Sequence, residues 1–248
     1  DDIDIIYNLA CPASPPVYQR DPIFTLNTNY NGTKNLLELA KLKSSIFIQA
    51  STSEVYGDPE VNPQFEEYNG NVNTTGVRSC YDEGKRISET LCYEYRKIYN
   101  VNTRIIRIFN TYGPGMEVND GRVISNFIVN IINNKELVIY GDGNQTRSFC
   151  YVDDLIRGLI SASNVDFNYP INLGNDVEIS LNNLVEILRN KYEDINVKYI
   201  DAHKDDPRVR RPNIMKAKNI LNWEPEINIE EGIDKTFNYF NYKIKNDK

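Results

Sequence analysis

Tyr81 and Lys85 are the residues whose types and spacing most directly suggest chemistry. They lie four positions apart in the run CYDEGK, residues 80–85, at the start of a predicted helix. This spacing puts both side chains on one helical face, where an ammonium can stabilise a phenolate. A free tyrosine has a pKa of about 10, so a tyrosine base near neutrality needs about 4 kcal/mol of preferential stabilisation of its anion. Lys85 together with a cationic cofactor can supply this stabilisation. The alternative is that the Tyr-x-x-x-Lys pair lies on an ordinary solvated helix face.

Two further polar runs accompany this pair. ASTSEVYG, residues 50–57, lies upstream, and RIFNTYGP, residues 107–114, lies downstream. Each contains or follows the end of a predicted apolar strand, as does the segment LAC at residues 9–11. In an open parallel sheet, ligands bind at the edge formed by the carboxyl ends of the strands. We therefore expect the three segments to meet at one ligand-binding edge.

The elements that position these residues alternate between strand and helix. Apolar runs predict strands at 3–9, 45–50 and 102–109, and helical periodicity predicts helices at 22–42 and 81–99. This alternation indicates parallel βαβ units and an α/β fold. Farther on, the patterns predict helices at 123–133, 152–163, 181–192, 214–221 and 229–240, with strands at 137–140 and 171–173. No break divides the chain cleanly into independent domains.

Composition excludes several classes of protein. The 35 acidic against 28 basic residues give a net charge of -7, which argues against a nucleic-acid surface. Neither an apolar stretch of about 20 residues nor a basic signal-peptide start is present, so we expect a soluble cytoplasmic protein. The four cysteines form no C-x-x-C pair and predict buried free thiols rather than a zinc site or disulfides. His203 is the one histidine, and a Ser-His-Asp mechanism would depend on it alone.

Seven sequence runs extend in order over nearly the whole chain: CPASPP (11–16), ASTSEVYGDPE (50–60), CYDEGKR (80–86), RIFNTYGP (107–114), DGRVISNFI (120–128), YGDGNQTR (140–147) and LNWEP (221–225). Together they resemble the UDP-glucuronic acid decarboxylases (UDP-xylose synthases) of the extended short-chain dehydrogenase/reductase family. The resemblance implies NAD-dependent decarboxylation of UDP-glucuronate to UDP-xylose through a 4-keto sugar. In this chemistry Tyr81 would be the base at the C4 hydroxyl, Lys85 would hold the phenolate and the nicotinamide ribose, and Thr52 would hydrogen-bond the C4 oxygen.

The resemblance also implies roles around the substrate and cofactor. Glu54 and Arg147 match the positions nearest the sugar carboxylate, Arg147 as an anion clamp and Glu54 as a water-positioning or acid-base group. The alternatives are a solvated Glu54 and an Arg147 that pairs with Asp153 or Asp154. The remaining expected contacts are Leu9, Ala50 and Thr111 with NAD, Asn110, Arg122 and Arg210 with the substrate diphosphate, and Tyr140 with uracil. Asn110 is otherwise a turn cap and Tyr140 a strand core residue.

Ser53 distinguishes the decarboxylases from related sugar-nucleotide enzymes. Sugar-nucleotide 4,6-dehydratases resemble the chain but usually carry an aspartate there, as the acid that protonates the departing C6 hydroxyl. A serine does not supply that proton near neutral pH, so Ser53 favours decarboxylation. A 4,6-dehydratase, a 4-epimerase and a non-catalytic nucleotide-sugar-binding protein remain the alternatives.

The family's architecture predicts a Rossmann-like parallel sheet with a smaller nucleotide-sugar lobe. We expect residues 1–113 to form part of the NAD-binding region and 114–248 mainly the lobe, with 148–174 returning to the Rossmann region. In the family's strand order 3-2-1-4-5-6-7 the first strand here is number four, after the glycine-rich turn that holds the NAD pyrophosphate. A piece of a longer protein is therefore expected, the alternative being a short form that cannot hold NAD normally. Gly115 replaces the family's usual arginine, and helices near 27–42 and 81–99 resemble those of a homodimer interface.

Overall fold

The computed structural model describes residues 2–201 and 209–246. Within these ranges the strands are β1 (Ile5–Asn8), β2 (Ile46–Thr52), β3 (Thr103–Ile108), β4 (Thr111–Tyr112), β5 (Leu137–Tyr140), β6 (Thr146–Ser148), β7 (Cys150–Tyr151), β8 (Ile171–Leu173), β9 (Glu178–Ser180), β10 (Val197–Ile200) and β11 (Val209–Arg210). The helices are α1 (Pro15–Tyr18), α2 (Pro22–Asn27), α3 (Thr33–Lys43), α4 (Ser79–Tyr99), α5 (Val123–Ile132), α6 (Val152–Asn164), α7 (Leu181–Lys191), α8 (Met215–Leu221) and α9 (Ile229–Asn246). A π-helical turn at Thr28–Gly32 joins α2 to α3, and a 3-10 turn at Ser53–Tyr56 follows β2.

The main sheet is parallel, with strand order β1-β2-β3-β8. This order corresponds to strands four to seven of the expected series, and it confirms the predicted α/β fold. Alternate residues of the central strands enter different apolar clusters. Phe47 and Ile105 pack with α3 and α4, whereas Ile48 and Ile106 pack with α6 and α8. The period of two therefore buries both faces of the sheet under helices.

A separate apolar cluster organises much of the second half of the chain. Ile128 of α5, Leu184 of α7 and Phe240 of α9 are almost completely buried in it. Short strands lie beside these helices: β10 pairs with β5, and β11, β6 and β9 form a three-stranded sheet. The sheet β11-β6-β9 brings residues 146–148 and 209–210 together although they are distant in sequence.

Parallel pairing places the ends of β1, β2 and β3 at one edge of the main sheet. The 21-residue helix α4 begins near this edge, and its first turn packs against the 3-10 turn that follows β2. The predicted segments after the three strands therefore lie around the start of α4.

Several findings bear on the predictions from composition. All four cysteines are free thiols, and Cys80, Cys92 and Cys150 are buried. In the part of the chain that the structure describes, no group of His, Cys, Asp and Glu side chains could hold a metal ion, and His203 lies outside that part. None of the helices within the described ranges combines the length and apolar character needed to cross a membrane.

Candidate active site

Tyr81 and Lys85 both lie in the buried first turns of α4. Tyr81 is 7% exposed and Lys85 4% exposed, so the pair is not a solvated helix face. Lys85 Nζ donates to the Ala50 carbonyl at 2.8 Å and lies 5.8 Å from the centre of the Tyr81 ring. Burial lowers the pKa of Lys85, and the nearby Cys11 and Glu89 act in the opposite direction. The helix thus presents an ammonium and a phenol side by side at the sheet edge.

Thr52 connects the end of β2 to Tyr81. Its hydroxyl accepts a hydrogen bond from the Glu54 N–H at 3.3 Å, which caps the 3-10 turn. The same side chain hydrogen-bonds Tyr81. Burial raises the pKa of Tyr81, and the bond with Thr52 lowers it by a smaller amount. Thr52, Tyr81 and Lys85 therefore form one contiguous group, as the spacing and the resemblance predict.

Glu54 lies among arginines rather than in solvent. Its carboxylate contacts Arg78 at 2.6 Å and Arg210 at 3.2 Å, and Arg147 acts on it electrostatically. Burial raises the pKa of the Glu54 carboxyl, but the positive charges of Arg210 and Arg78 outweigh burial, so the net pKa is lowered. Glu54 is therefore an ionised, positioned carboxylate beside the Tyr81 group.

Arg210 makes contacts that sequence reasoning did not foresee. Its guanidinium donates to the Ser53 carbonyl, to the Gly57 carbonyl at 3.1 Å and to Glu54, and the residue is 2% exposed. Arg147 lies next to it in the register of β6 and β11 and donates to the Thr146 carbonyl at 2.9 Å. In this arrangement Arg210 holds the Ser53–Gly57 turn, and its contact with a diphosphate stays a prediction.

Asp154, one of the two alternative partners proposed for Arg147, is engaged elsewhere. Asp154 accepts from Arg157 at 2.8 Å and from the N–H groups of Glu226 and Ile227 at 3.1 and 2.9 Å. Its carboxylate therefore fastens α6 to the segment that precedes α9.

The other expected binding residues occupy different places. The Asn110 carbonyl accepts from the Cys150 N–H at 2.9 Å, and the Thr111 hydroxyl donates to the Phe109 carbonyl at 2.9 Å. Arg122 precedes α5 and pairs with Asp120; burial lowers the pKa of Arg122, but this pairing and the charge of Tyr81 outweigh burial and raise it. Leu9 is 58% exposed at the end of β1, and Tyr140 is 40% exposed at the end of β5 in another sheet.

Three residues around this group escaped the sequence analysis. Tyr18 stacks on Tyr81 with ring centres 4.9 Å apart, and Arg78 pairs with Glu54. Asp82 is 6% exposed, and burial together with the Glu54 charge raises its pKa to about 7. Asp82 lies inside the recognised run CYDEGKR, but neither its spacing nor the resemblance marked it.

The GDP-mannose 4,6 dehydratase family model matches residues 1–236. UDP-glucuronic acid decarboxylase 1 of Xenopus tropicalis is 49% identical over 245 residues, which are 98% of this chain and 58% of that protein. UDP-glucuronic acid decarboxylase 6 of Arabidopsis thaliana is 49% identical over 94% of this chain and 68% of its own length. The chain thus spans less than two thirds of the vertebrate relatives, 58% and 59% of their lengths.

Solved structures agree with this relationship at greater distance. UDP-glucose 4-epimerase of Thermotoga maritima, with UDP-glucose, superimposes with a TM-score of 0.89 at 28% identity over 97% of this chain and 78% of that chain. UDP-glucuronic acid 4-epimerase of Bacillus cereus, with UDP-glucuronic acid and NAD, gives a TM-score of 0.87 at 28% identity over 97% and 76%. The chain belongs to the GDP-mannose 4,6 dehydratase family, in which its relatives at 46–49% identity are UDP-glucuronic acid decarboxylases.

Proposed function

We propose that the protein containing these residues converts UDP-glucuronate to UDP-xylose with NAD as a catalytic cofactor. The observation that carries the proposal is the buried group of Thr52, Tyr81 and Lys85 beside an ionised Glu54 held by arginines. A tyrosine and lysine at a sheet edge suit oxidation of a hydroxyl, and neighbouring cations suit a carboxylate substrate.

The residues divide the reaction between them. Tyr81 removes the C4 hydroxyl proton while Thr52 orients the oxygen, and Lys85 favours the phenolate electrostatically. With the C4 hydride also lost, to the NAD that would be bound there, C4 becomes a ketone. The ketone accepts the electrons of the C5–C6 bond, so the C6 carboxylate leaves as carbon dioxide. Arg147 holds that carboxylate beforehand, and Glu54 positions the water or acid that protonates C5. Tyr81 then returns its proton to the C4 oxygen, and one proton from solvent balances the overall reaction.

The residues that face the sheet edge fit the nicotinamide end of NAD. Lys85 is bonded to the Ala50 carbonyl, and Leu9 offers an exposed apolar side chain where β1 ends. Leu9, Ala50, Tyr81, Lys85 and Thr111 are the residues proposed to hold it. When bound, NAD would supply the hydride acceptor for oxidation at C4 and the hydride donor for the later reduction.

A 4-epimerase is the second candidate, because similar solved structures at 27–28% identity carry that name. Relatives at 46–49% identity favour the decarboxylase. Ser53 is 2% exposed and its carbonyl accepts from Arg210, so the position where a dehydratase carries its acid holds a buried hydroxyl. The decarboxylase is thus the better-supported reaction.

The proposal also covers the assembly of the protein, the boundaries of its two lobes and its location. Large apolar side chains on the helices expected at a dimer interface stay exposed, among them Leu42 at 77%, Tyr93 at 56% and Ile98 at 63%, which supports a homodimer. The membership of β8 in the main sheet supports a division into 1–113 and 114–248 with 148–174 returning to the first part. A cytoplasmic location stays a prediction from composition.

The test is incubation of the intact protein with UDP-glucuronate and catalytic NAD. We expect release of carbon dioxide and formation of UDP-xylose without net NADH, because oxidation and reduction share one site. Formation of UDP-galacturonate would identify a 4-epimerase instead. Dehydration of a neutral nucleotide hexose with UDP-glucuronate untouched would identify a dehydratase.

A further inference from the structure

Two polar contacts one helical turn apart attach the first half of helix α4 to the main sheet. The first is the Lys85 bond to the Ala50 carbonyl at 2.8 Å. The second is Glu89, whose carboxylate accepts from the Ser51 hydroxyl on β2 and from Arg107 on β3. Ser51 and Arg107 are opposite each other in the β2–β3 register, so Glu89 is held where the two strands meet. Farther along α4, the Thr103 hydroxyl of β3 donates to the Cys92 carbonyl at 3.1 Å, and Arg96 donates to the Thr103 carbonyl at 3.0 Å.

Arg107 binds Glu89 through two parallel hydrogen bonds. Its Nε and Nη2 atoms lie 3.0 and 2.8 Å from the two carboxylate oxygens, and both side chains are almost buried, 12% and 13% exposed. Such a bidentate pair fixes orientation as well as distance, which a lysine does not do. The pair is therefore the bidentate contact among those that hold α4 on the sheet, and it lies two helical turns from Tyr81.

The third nitrogen of Arg107 extends the contact toward Glu54. Nη1 donates to the Tyr56 hydroxyl at 3.0 Å and to the Glu66 carbonyl at 2.9 Å. Tyr56 is fully buried, two residues after Glu54, and its hydroxyl donates to Asn172 at 2.8 Å. Asn172 in turn donates to the Gln64 carbonyl at 3.1 Å.

The same network ends beside Arg210. The Arg211 N–H donates to the Gln64 side chain at 2.9 Å, and the Gln64 N–H donates to the Arg211 carbonyl at 2.8 Å. Arg210 binds Glu54 from this segment. A single guanidinium thus connects the helix of Tyr81 and Lys85 with the Glu54 turn and with the segment of Arg210, one of the two arginines that hold Glu54.

We propose that Arg107 is a positioning residue that fixes the Tyr81–Lys85 helix relative to the Glu54 turn, so that C4 redox chemistry and carboxylate loss occur in one bound state. This inference rests on the proposed decarboxylase function. Its consequence is coupling: once carbon dioxide has left, the 4-keto sugar must stay aligned until C4 is reduced. When α4 shifts relative to the Glu54 turn, the 4-keto sugar leaves the site before C4 is reduced, and NADH is left behind.

The experiment compares Arg107→Lys with Arg104→Lys in the intact protein. Arg104 lies on the same strand, its side chain is 2% exposed, and it donates to the Val165 carbonyl at 2.7 Å, away from the network. We expect Arg107→Lys to lower kcat by at least about 10-fold with KM within about threefold, since small misplacements of reacting groups are costly. We also expect more NADH and 4-keto pentose per carbon dioxide released. Arg104→Lys should keep the wild-type ratio, because a variant that is only less stable has fewer active molecules with unchanged partitioning.

Tyr56→Phe provides a second variant in case Arg107→Lys does not fold. It deletes one hydroxyl of the network, and we expect a smaller rise in the same ratio. The positioning role is overturned if Arg107→Lys and Tyr56→Phe both give the same ratio of NADH to carbon dioxide as Arg104→Lys. If Arg107→Lys does not fold, a wild-type ratio in Tyr56→Phe overturns it. Wild-type protein that leaves UDP-glucuronate unchanged overturns the proposed function instead, and the inference with it.

Discussion

The hydroxyl of Tyr81 lies in surroundings that favour the phenol. Its ring is nearly buried and stacked on Tyr18, and burial raises its pKa, whereas Thr52 lowers it only in part. Lys85 contributes a cation, but its ammonium is bonded to a carbonyl. We infer that the phenolate forms when the positive charge of an oxidised nicotinamide is added.

Tyr81→Phe tests the base directly. The change keeps the ring stacking and removes the titrating oxygen, so we expect kcat to fall by at least about 100-fold with UDP affinity nearly unchanged. Steady-state kinetics and UDP titration measure the two effects. Tyr18→Phe is the matched control, since it removes the hydroxyl of the stacked partner, and it should stay within about threefold of wild type. Near wild-type turnover in Tyr81→Phe would return this residue to a structural role.

Asp82 makes stability depend on pH. Its pKa is raised from 3.8 to about 7 in the folded chain, so the folded state holds a proton that the unfolded state has released. This contribution is fully present below pH of about 4 and is lost as pH rises through about 7. Asp82→Asn cannot ionise, and we expect it to lose less unfolding free energy than wild type between pH 5 and pH 8, by on the order of 1–3 kcal/mol.

Urea unfolding at the two pH values measures this difference. Glu94→Gln removes a half-buried carboxyl farther along α4 and should keep the wild-type pH dependence. An Asp82→Asn profile parallel to wild type would contradict the assignment of the proton to Asp82.

Thr52, Tyr81 and Lys85 could be singled out from the sequence. The spacing of Tyr81 and Lys85 marked those two, and the resemblance carried by the surrounding runs marked all three. The sequence did not identify Arg78 as a partner of Glu54, since nothing local in the chain marks a contact formed by tertiary folding. Arg210 was expected at a diphosphate, and the structure shows it bonded to the Ser53 and Gly57 carbonyls. Contacts of this kind depend on how β11 pairs with β6.

At the scale of elements, helices and strands with a clear hydrophobic periodicity could be predicted from the sequence. The predicted helix 81–99 is observed at 79–99, and the predicted strand 137–140 is observed without change. The short strands β6 and β11 were missed because they carry no periodicity and exist through pairing with distant partners, whereas the three-residue strand β8 was predicted at 171–173. The π-helical turn between α2 and α3 interrupts a pattern that reads as one helix.

Asp154 is the residue through which α6 holds the segment before α9. Its carboxylate accepts from two backbone N–H groups and from Arg157, and it is 2% exposed. We expect Asp154→Asn to lower the free energy of unfolding by about 1–3 kcal/mol, because the amide cannot accept all of these bonds. Urea unfolding measures the loss. The exposed neighbour Asp153→Asn should change stability by less than about 0.5 kcal/mol, and equal effects would contradict this role.

At the scale of the whole molecule, exposed apolar side chains lie on the helices expected between protomers. Leu42→Glu and Ile98→Glu place charges on residues that are 77% and 63% exposed. We expect both to shift a homodimer toward monomer in light scattering at micromolar concentration, because a buried charge opposes association. Tyr242→Glu, on α9 at 72% exposure, is the control and should leave the dimer intact. A wild-type monomer would contradict the proposed assembly.

The division of the apolar core has a consequence for fluctuations. One cluster lies among α5, α7 and α9, and two others lie on opposite faces of the main sheet. Clusters that share few contacts open separately, so we expect amide hydrogen exchange to show distinct protection levels for α7 and for β2. A UDP-sugar that contacts both regions should draw these levels together, and unchanged separation on binding would contradict that expectation. The substrate would then be the component that makes the two regions unfold as one cooperative unit.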